Sequence, residues 1–174
     1  MKMLEVKLEG LALDMTTNTP VVILSPAGLD KVLPIWIGHA EAWAIAMELS
    51  GVGSKRPLTH DLLKRVIESL HASVERVEIT ELREQTFFAV IHIKTNGDSA
   101  HIDARPSDSI ALALKTGASI FVNEDLFNIK RPEPGEEAAA GSDEPRVPPM
   151  PTDRESLRER LKRIPPEEFG KFSL

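Results

Sequence analysis

Eight of the 13 prolines fall between Pro132 and Pro166. The stretch from Pro132 to Pro145 consists of Pro, Glu, Gly, Ala, Ser and Asp, with no side chain large enough to anchor a core. Such a segment cannot bury enough apolar surface to offset the entropy of ordering it. This break confines a packed fold to residues 1–128, followed by a disordered acidic, Pro-rich linker over 129–151 and a short amphipathic tail over 152–174. In the tail, Thr152 is placed as an N-cap with Glu155 three residues on, completing a capping-box pattern. Leu157, Leu161 and Ile164 then recur at four and three, ahead of Pro165-Pro166. A helix that short is unstable alone and is expected to dock on this domain or on a partner.

Within 1–128 the apolar periodicity changes repeatedly. Leu4, Val6 and Leu8 alternate with charged residues, and the phase slips to Leu11, Leu13 and Met15 after Gly10, which reads as a long strand with a bulge at the glycine. Val21–Leu24 and Val32–Ile37 are short strands around a Ser25–Gly28 turn. Gly38–Leu49 is helical and apolar almost all round, which argues for burial. A second helix follows Thr59, with Leu62, Leu63, Val66, Ile67 and Leu70 in one stripe and Asp61–Arg65 and Lys64–Glu68 as i,i+4 pairs. Val74–Leu82 and Phe87–Lys94 are strands, and Asn96-Gly97 turns the chain into Ser99–Asp103. A third helix opens at Pro106 or Ser107 and closes at Gly117, before a last strand at Ile120–Val122. This order is not a regular βαβ alternation. It predicts an α+β domain with a mixed or antiparallel sheet and about three helices.

The chain has no cysteine, so disulfides, thiolate zinc sites and thiol nucleophiles are excluded. No run approaches the apolar length of a membrane span and Met1–Glu5 is no signal peptide, so the expected location is the cytoplasm, without a membrane partner. A net charge of −6 argues against packaging nucleic acid by bulk phosphate neutralisation. A site with a few focused arginines stays open.

Two segments resemble each other. Arg56-Pro57-Leu58-Thr59-His60-Asp61 precedes the second helix and Arg105-Pro106-Ser107-Asp108 precedes the third. Each reads Arg-Pro, a hydroxyl residue fit to be an N-cap, and an acid suited to the first helical turn. An arginine ahead of a helix start, with its unpaired N–H groups, makes an anion site, so Arg56, Arg105, Thr59 and Ser107 are candidate phosphate ligands. The competing reading pairs each arginine with a local carboxylate such as Glu41, Asp61 or Asp108.

Asp103 at a strand end and Asp108 in the next helix could share a divalent metal, Mg²⁺ or Mn²⁺, as many phosphodiesterases do. His60 and Asp61 offer a general base or a further ligand, and Glu41 a second base. If the hairpin loop is Asn96-Gly97, residue numbers across the ladder sum to 193. His92 then faces His101 on the side carrying Asp103, a weaker transition-metal constellation, with Phe87, Ala89, Ile91, Ile93, Ala100 and Ile102 on the buried side.

Several blocks resemble the bifunctional nuclease family, long catalogued as a domain of unknown function. They are Leu33-Pro34-Ile35-Trp36-Ile37-Gly38, Glu41-Ala42, Arg56-Pro57-Leu58-Thr59-His60-Asp61-Leu62-Leu63, Thr86-Phe87-Phe88-Ala89, Ile102-Asp103-Ala104-Arg105-Pro106-Ser107-Asp108-Ser109-Ile110 and Ile120-Phe121-Val122. The resemblance spans about residues 3–128, in order, and Pro166-Glu167-Glu168-Phe169 is similar to the tail of some bacterial members. Ser109 departs from the pattern, which has alanine there. The resemblance implies a nuclease acting on RNA or DNA. The expected mechanism has Asp103 and Asp108 on metal, His60, Asp61 or Glu41 handling protons, and Arg56 and Arg105 on phosphate. The alternative is a non-catalytic module that binds a small anion or a protein. A homo-oligomer, first a dimer, fits either, because the long first strand leaves an edge to cover.

Overall fold

The computed structural model describes residues 2–128 and 154–168; the 129–151 linker and Thr152 lie outside the described residues. Two antiparallel three-strand meanders build the sheet. The first is β1 (Met3–Asp14), β2 (Thr19–Pro26) and β3 (Leu33–Trp36); the second is β4 (Ser73–Arg83), β5 (Thr86–Lys94) and β6 (Ser99–Ala104). A short strand, β7 (Ser119–Asn123), knits them together, antiparallel to β1 and parallel to β4. The order is β3-β2-β1-β7-β4-β5-β6, and the α+β class expected from the sequence holds. The β1 register shifts between Leu8 and Gly10, where Gly10 takes φ +151°, as the phase slip predicted.

Helix α1 (His39–Ser50) follows the first meander and α3 (Pro106–Thr116) the second. Each ends on a left-handed glycine, Gly51 and Gly117, a conformation costly for residues with a Cβ. Ile45 of α1 and Ile110 and Leu112 of α3 are fully buried with Val22, Val77, Ile79 and Val122 from the sheet. Each such side chain contributes about 1.5–3 kcal/mol by leaving water. α1 is less buried than its composition implied, because Trp43 and Leu49 stay exposed. Helix α2 (Thr59–Ser69) departs further. Ile67 is buried, but Leu62, Leu63, Val66 and Leu70 face outward. The stripe is there, and no described element covers it.

The hairpin register came out as expected, with His92 opposite His101 and Lys94 opposite Ser99. Its inner face did not, since Ala100 and Ile102 are exposed on β6, the last strand of the sheet. The tail differs as well. Its helix, α4 (Arg154–Arg160), stops before Leu161, and β8 (Leu161–Arg163) pairs antiparallel with Ala12–Asp14 of β1. β7 covers only the Met3–Val6 part of that side of β1, so the backbone groups beyond it were unpaired and the tail satisfies them. The free edge that argued for a second copy is thus closed by the chain itself.

Docking is sealed by a buried charge. Asp14 has no exposed surface; it accepts hydrogen bonds from Trp36 Nε1 at 2.8 Å, from the Thr16 amide at 2.9 Å and from Arg160 Nη2 at 2.7 Å. Burial alone would raise its pKa, but these donors, Arg160 foremost, hold the carboxyl down at about 2. Leu157 and Leu161 pack beside them on Ala12, Val21 and Ile23.

Candidate active site at three helix starts

α1 and α3 run side by side in the same direction. Arg105 Nη1 meets Glu41 Oε1 at 2.8 Å across their first turns, and Lys115 Nζ meets Glu48 Oε2 at 2.8 Å across their last. The start of α2 lies against α3, with His60 reaching one end of it and Asp61 the other. Three helix N-termini, each with one acid in its first turn, therefore converge. Their unpaired N–H groups create a field that favours negative charge.

A continuous polar chain crosses these starts: Glu41 to Arg105, Arg105 Nε to Asp108 Oδ2 at 2.8 Å, and Asp108 Oδ1 to His60 Nε2 at 3.0 Å. Asp108 is part-buried, which by itself raises its pKa, yet Arg105 and His60 hold it below the usual carboxylate range. Arg105 is correspondingly raised, by Asp108 first and Glu41 second. For His60 to donate to a carboxylate, its proton must sit on Nε2, which leaves Nδ1 as the basic nitrogen. The His60 side chain is 12 % exposed and that of Arg105 66 %, so the imidazole is shielded and the guanidinium is open. Gly38 makes room for this: a Cβ there would stand 2.2 Å from Glu41 Oε2.

A second network fixes α2. Lys115, 9 % exposed, binds Asp61 Oδ1 at 2.6 Å as well as Glu48, while Asp61 Oδ2 caps the Leu58 amide at 2.9 Å and Lys64 Nζ donates to the Lys115 carbonyl at 2.9 Å. Asp61 is lowered, chiefly by Lys115; Lys115 is raised because its two carboxylates outweigh its desolvation. Asp61 therefore anchors the turn that carries His60. It does not pair with Arg65, as the i,i+4 spacing implied.

The remaining expected residues are dispersed. The two Arg-Pro motifs are out of phase with their helices: Leu58 and Arg105 are the N-caps, Asp61 and Asp108 both stand at N3, and Arg56 lies two residues ahead of its cap. Thr59 is consequently not a cap and is exposed, Arg56 is exposed and outside the polar chain, and Ser107 is buried. Asp103 lies on β6 opposite Val90, so it faces away from the helices: its neighbours in the pleat, Ala89 and Ile91, point into the core on which α3 packs. It therefore does not meet Asp108, whose two oxygens contact His60 and Arg105. Among the described residues no three His, Asp or Glu side chains gather as metal ligands. The Asp103 and Asp108 pair expected to share a divalent ion is not brought together. On the outer face His92 is buried, its Nε2 3.0 Å from Glu78 Oε2, and its ring lies 4.4 Å from that of His101.

Sequence reading missed Lys115, Glu48 and Gly38. The signals were faint: a lysine ending an otherwise apolar helix, and a glycine three residues before an acid.

A family model described as the bifunctional nuclease domain matches residues 21–133. An uncharacterised protein of Mycobacterium tuberculosis (strain ATCC 25618 / H37Rv) is 39% identical over 169 residues, covering 95% of this chain and 97% of the relative. Bifunctional nuclease 2 of Arabidopsis thaliana is 24% identical over 112 residues, 63% of this chain and 34% of that protein. Bifunctional nuclease 2 of Oryza sativa subsp. japonica is 25% identical over 126 residues, 69% of this chain and 39% of that protein. No helix among the described residues is long and apolar enough to cross a membrane.

Proposed function

The chain belongs to the bifunctional nuclease domain family, and from that premise we propose that it hydrolyses phosphodiester bonds in RNA or DNA. The observation that carries this reading is the chain Glu41–Arg105–Asp108–His60 at three helix starts. A phosphate seated on the open side of Arg105 gains a charge-assisted donor and the field of the helix N-termini. His60 Nδ1 takes a proton from the attacking water as its oxygen bonds to phosphorus, Asp108 stabilises the imidazolium that forms, and the proton passes to the leaving sugar oxygen as its bond to phosphorus breaks. Arg105 stabilises the charge that builds on the phosphate oxygens. Glu41 orients Arg105, and Asp61 orients the turn that bears His60; neither acts as a base.

The test is cleavage of labelled single-stranded RNA and DNA by protein purified alongside His60→Ala and Asp108→Asn made identically, with Mg²⁺, with Mn²⁺ and with chelator. Loss of at least about a hundredfold in both variants is expected, the range for removing a general base. Equal traces from all three proteins would mean contamination and sink the reading. One observation favours the alternative of an anion- or protein-binding module: Arg105 is already held by two carboxylates, so a ligand must compete with Glu41 and Asp108. In that case Arg105 serves as a structural peg between α1 and α3, and the same preparations cleave nothing.

A further inference from the structure

The two terminal strands of the sheet, β3 and β6, are built differently. β3 has four residues and includes Pro34, which has no N–H to offer a further strand. β6 has six residues with no lysine, no proline and no register shift, and among the described residues nothing pairs with its outer side. An even, unprotected edge of this kind is a template for another strand. Its hairpin fixes which backbone groups are free. The Thr95 amide donates to the Asp98 carbonyl at 2.9 Å, and hydrogen-bonded pairs alternate along the ladder from there. Ala100, Ile102 and Ala104 therefore bond to β5, while the N–H and C=O groups of Ser99, His101 and Asp103 point away from it. On the helix face Ile102 is 45 % exposed, at the margin of the core opposite Ile91. On the outer face His101 and Asp103 are exposed, and the His101 ring lies against the buried His92.

We propose that β6 pairs antiparallel with β6 of a second copy of this chain, about a two-fold axis through Ile102. Only residues with outward backbone groups form the hydrogen-bonded pairs, which leaves few registers open. Centring on Ile102 sets His101 opposite Asp103 of the second copy, twice over by symmetry, and covers each Ile102 with the other. Sliding one way instead faces His101 with His101, and sliding the other way faces Asp103 with Asp103. Charge complementarity selects the first register, and a second copy satisfies backbone, charge and exposed apolar surface together. The axis lies normal to the sheet, so both helix layers share one face, with the two Arg105 residues roughly 20 Å apart along the strands. This pairing does not depend on the reaction proposed above.

Sedimentation velocity of the full chain across micromolar concentrations reads the association, and wild type is expected to be a dimer. Ile102→Lys changes an exposed side chain and is expected to give a monomer that circular dichroism shows to be folded. His101→Asp alone faces carboxylate with carboxylate and is expected to weaken the dimer about tenfold. Adding Asp103→His to it restores opposite groups in the same register, and with them the wild-type dissociation constant. Hydrogen exchange supplies a second readout: the His101 and Asp103 amides are expected to be protected in concentrated wild type and released on dilution. A monomeric wild type overturns the proposal, as does a dimer unmoved by Ile102→Lys. A double variant that binds no tighter than His101→Asp overturns it as well.

Discussion

Lys115 is the side chain whose surroundings depart most from its residue type. It is nearly buried, and it joins the end of α1 to the start of α2 through Glu48 and Asp61. Lys115→Met leaves two carboxylates facing each other without their shared cation, and a lower stability is expected in urea unfolding. The more specific readout is the His60 Nε2 proton, which the hydrogen bond to Asp108 is expected to protect from exchange and make observable by NMR in wild type. Freed of its anchor, the α2 turn shifts and that resonance is lost to exchange, whereas a purely structural lysine would leave it in place. Gly38→Ala tests the opposite case. Its new Cβ displaces only the tip of Glu41, so the melting temperature changes little, while Glu41 leaves Arg105 and activity falls.

At the scale of elements, the tail shows how pairing overrides local preference. Leu161-Lys162-Arg163 could have extended α4, but unpaired groups of β1 at Ala12–Asp14 recruit it as a strand, and Arg160 then neutralises Asp14. Arg160→Met would leave a buried carboxylate without its main partner, an expected cost of about 3 kcal/mol. Limited proteolysis of that variant should release the tail first, whereas a tail as resistant as in wild type would contradict the account. α2 makes the complementary point. Its apolar phase was legible from Leu62, Leu63, Val66, Ile67 and Leu70, yet periodicity gives the stripe and not its cover; in the structure Ile67 alone of these is buried.

For the molecule as a whole, the seam between two meanders matters most, because β7 brings α1 beside α3 and so assembles Glu41, Arg105 and Asp108. The charge pairs at this seam and under the tail set the acid limit of the fold. Asp14, Asp61 and Asp108 all have depressed pKa values, so their stabilisation is complete above the unfolded value near 4 and is lost as pH falls below it. For Asp14, with its pKa at about 2, the contribution is about 2 kcal/mol, lost between pH 4 and 2. Lys115 is raised, so its share persists through neutral pH and is lost only above the ordinary lysine range. Circular dichroism across pH 2–8 should show a plateau at neutral pH and a fall below about 4. Asp14→Asn should flatten that fall, and an unchanged acid limb would reject the assignment.

The amino-acid sequence by itself determined the α+β class, most strand and helix boundaries within residues 1–128, the bulge at Gly10, the His92–His101 register and the residues whose types suit an anion site. These follow from local periodicity, turn chemistry and backbone preference, which act over a few residues. Only the tertiary structure decided that Arg105 is bound by Glu41 from 64 positions earlier, that His60 reaches Asp108 and that Asp103 faces the other side of the sheet. It also decided that the tail closes β1 and that α2 keeps its apolar stripe outward. The reason is one of range. A pleat or a helical stripe is written in neighbours, whereas an ion pair or a covered face depends on which distant element the sheet order sets beside it.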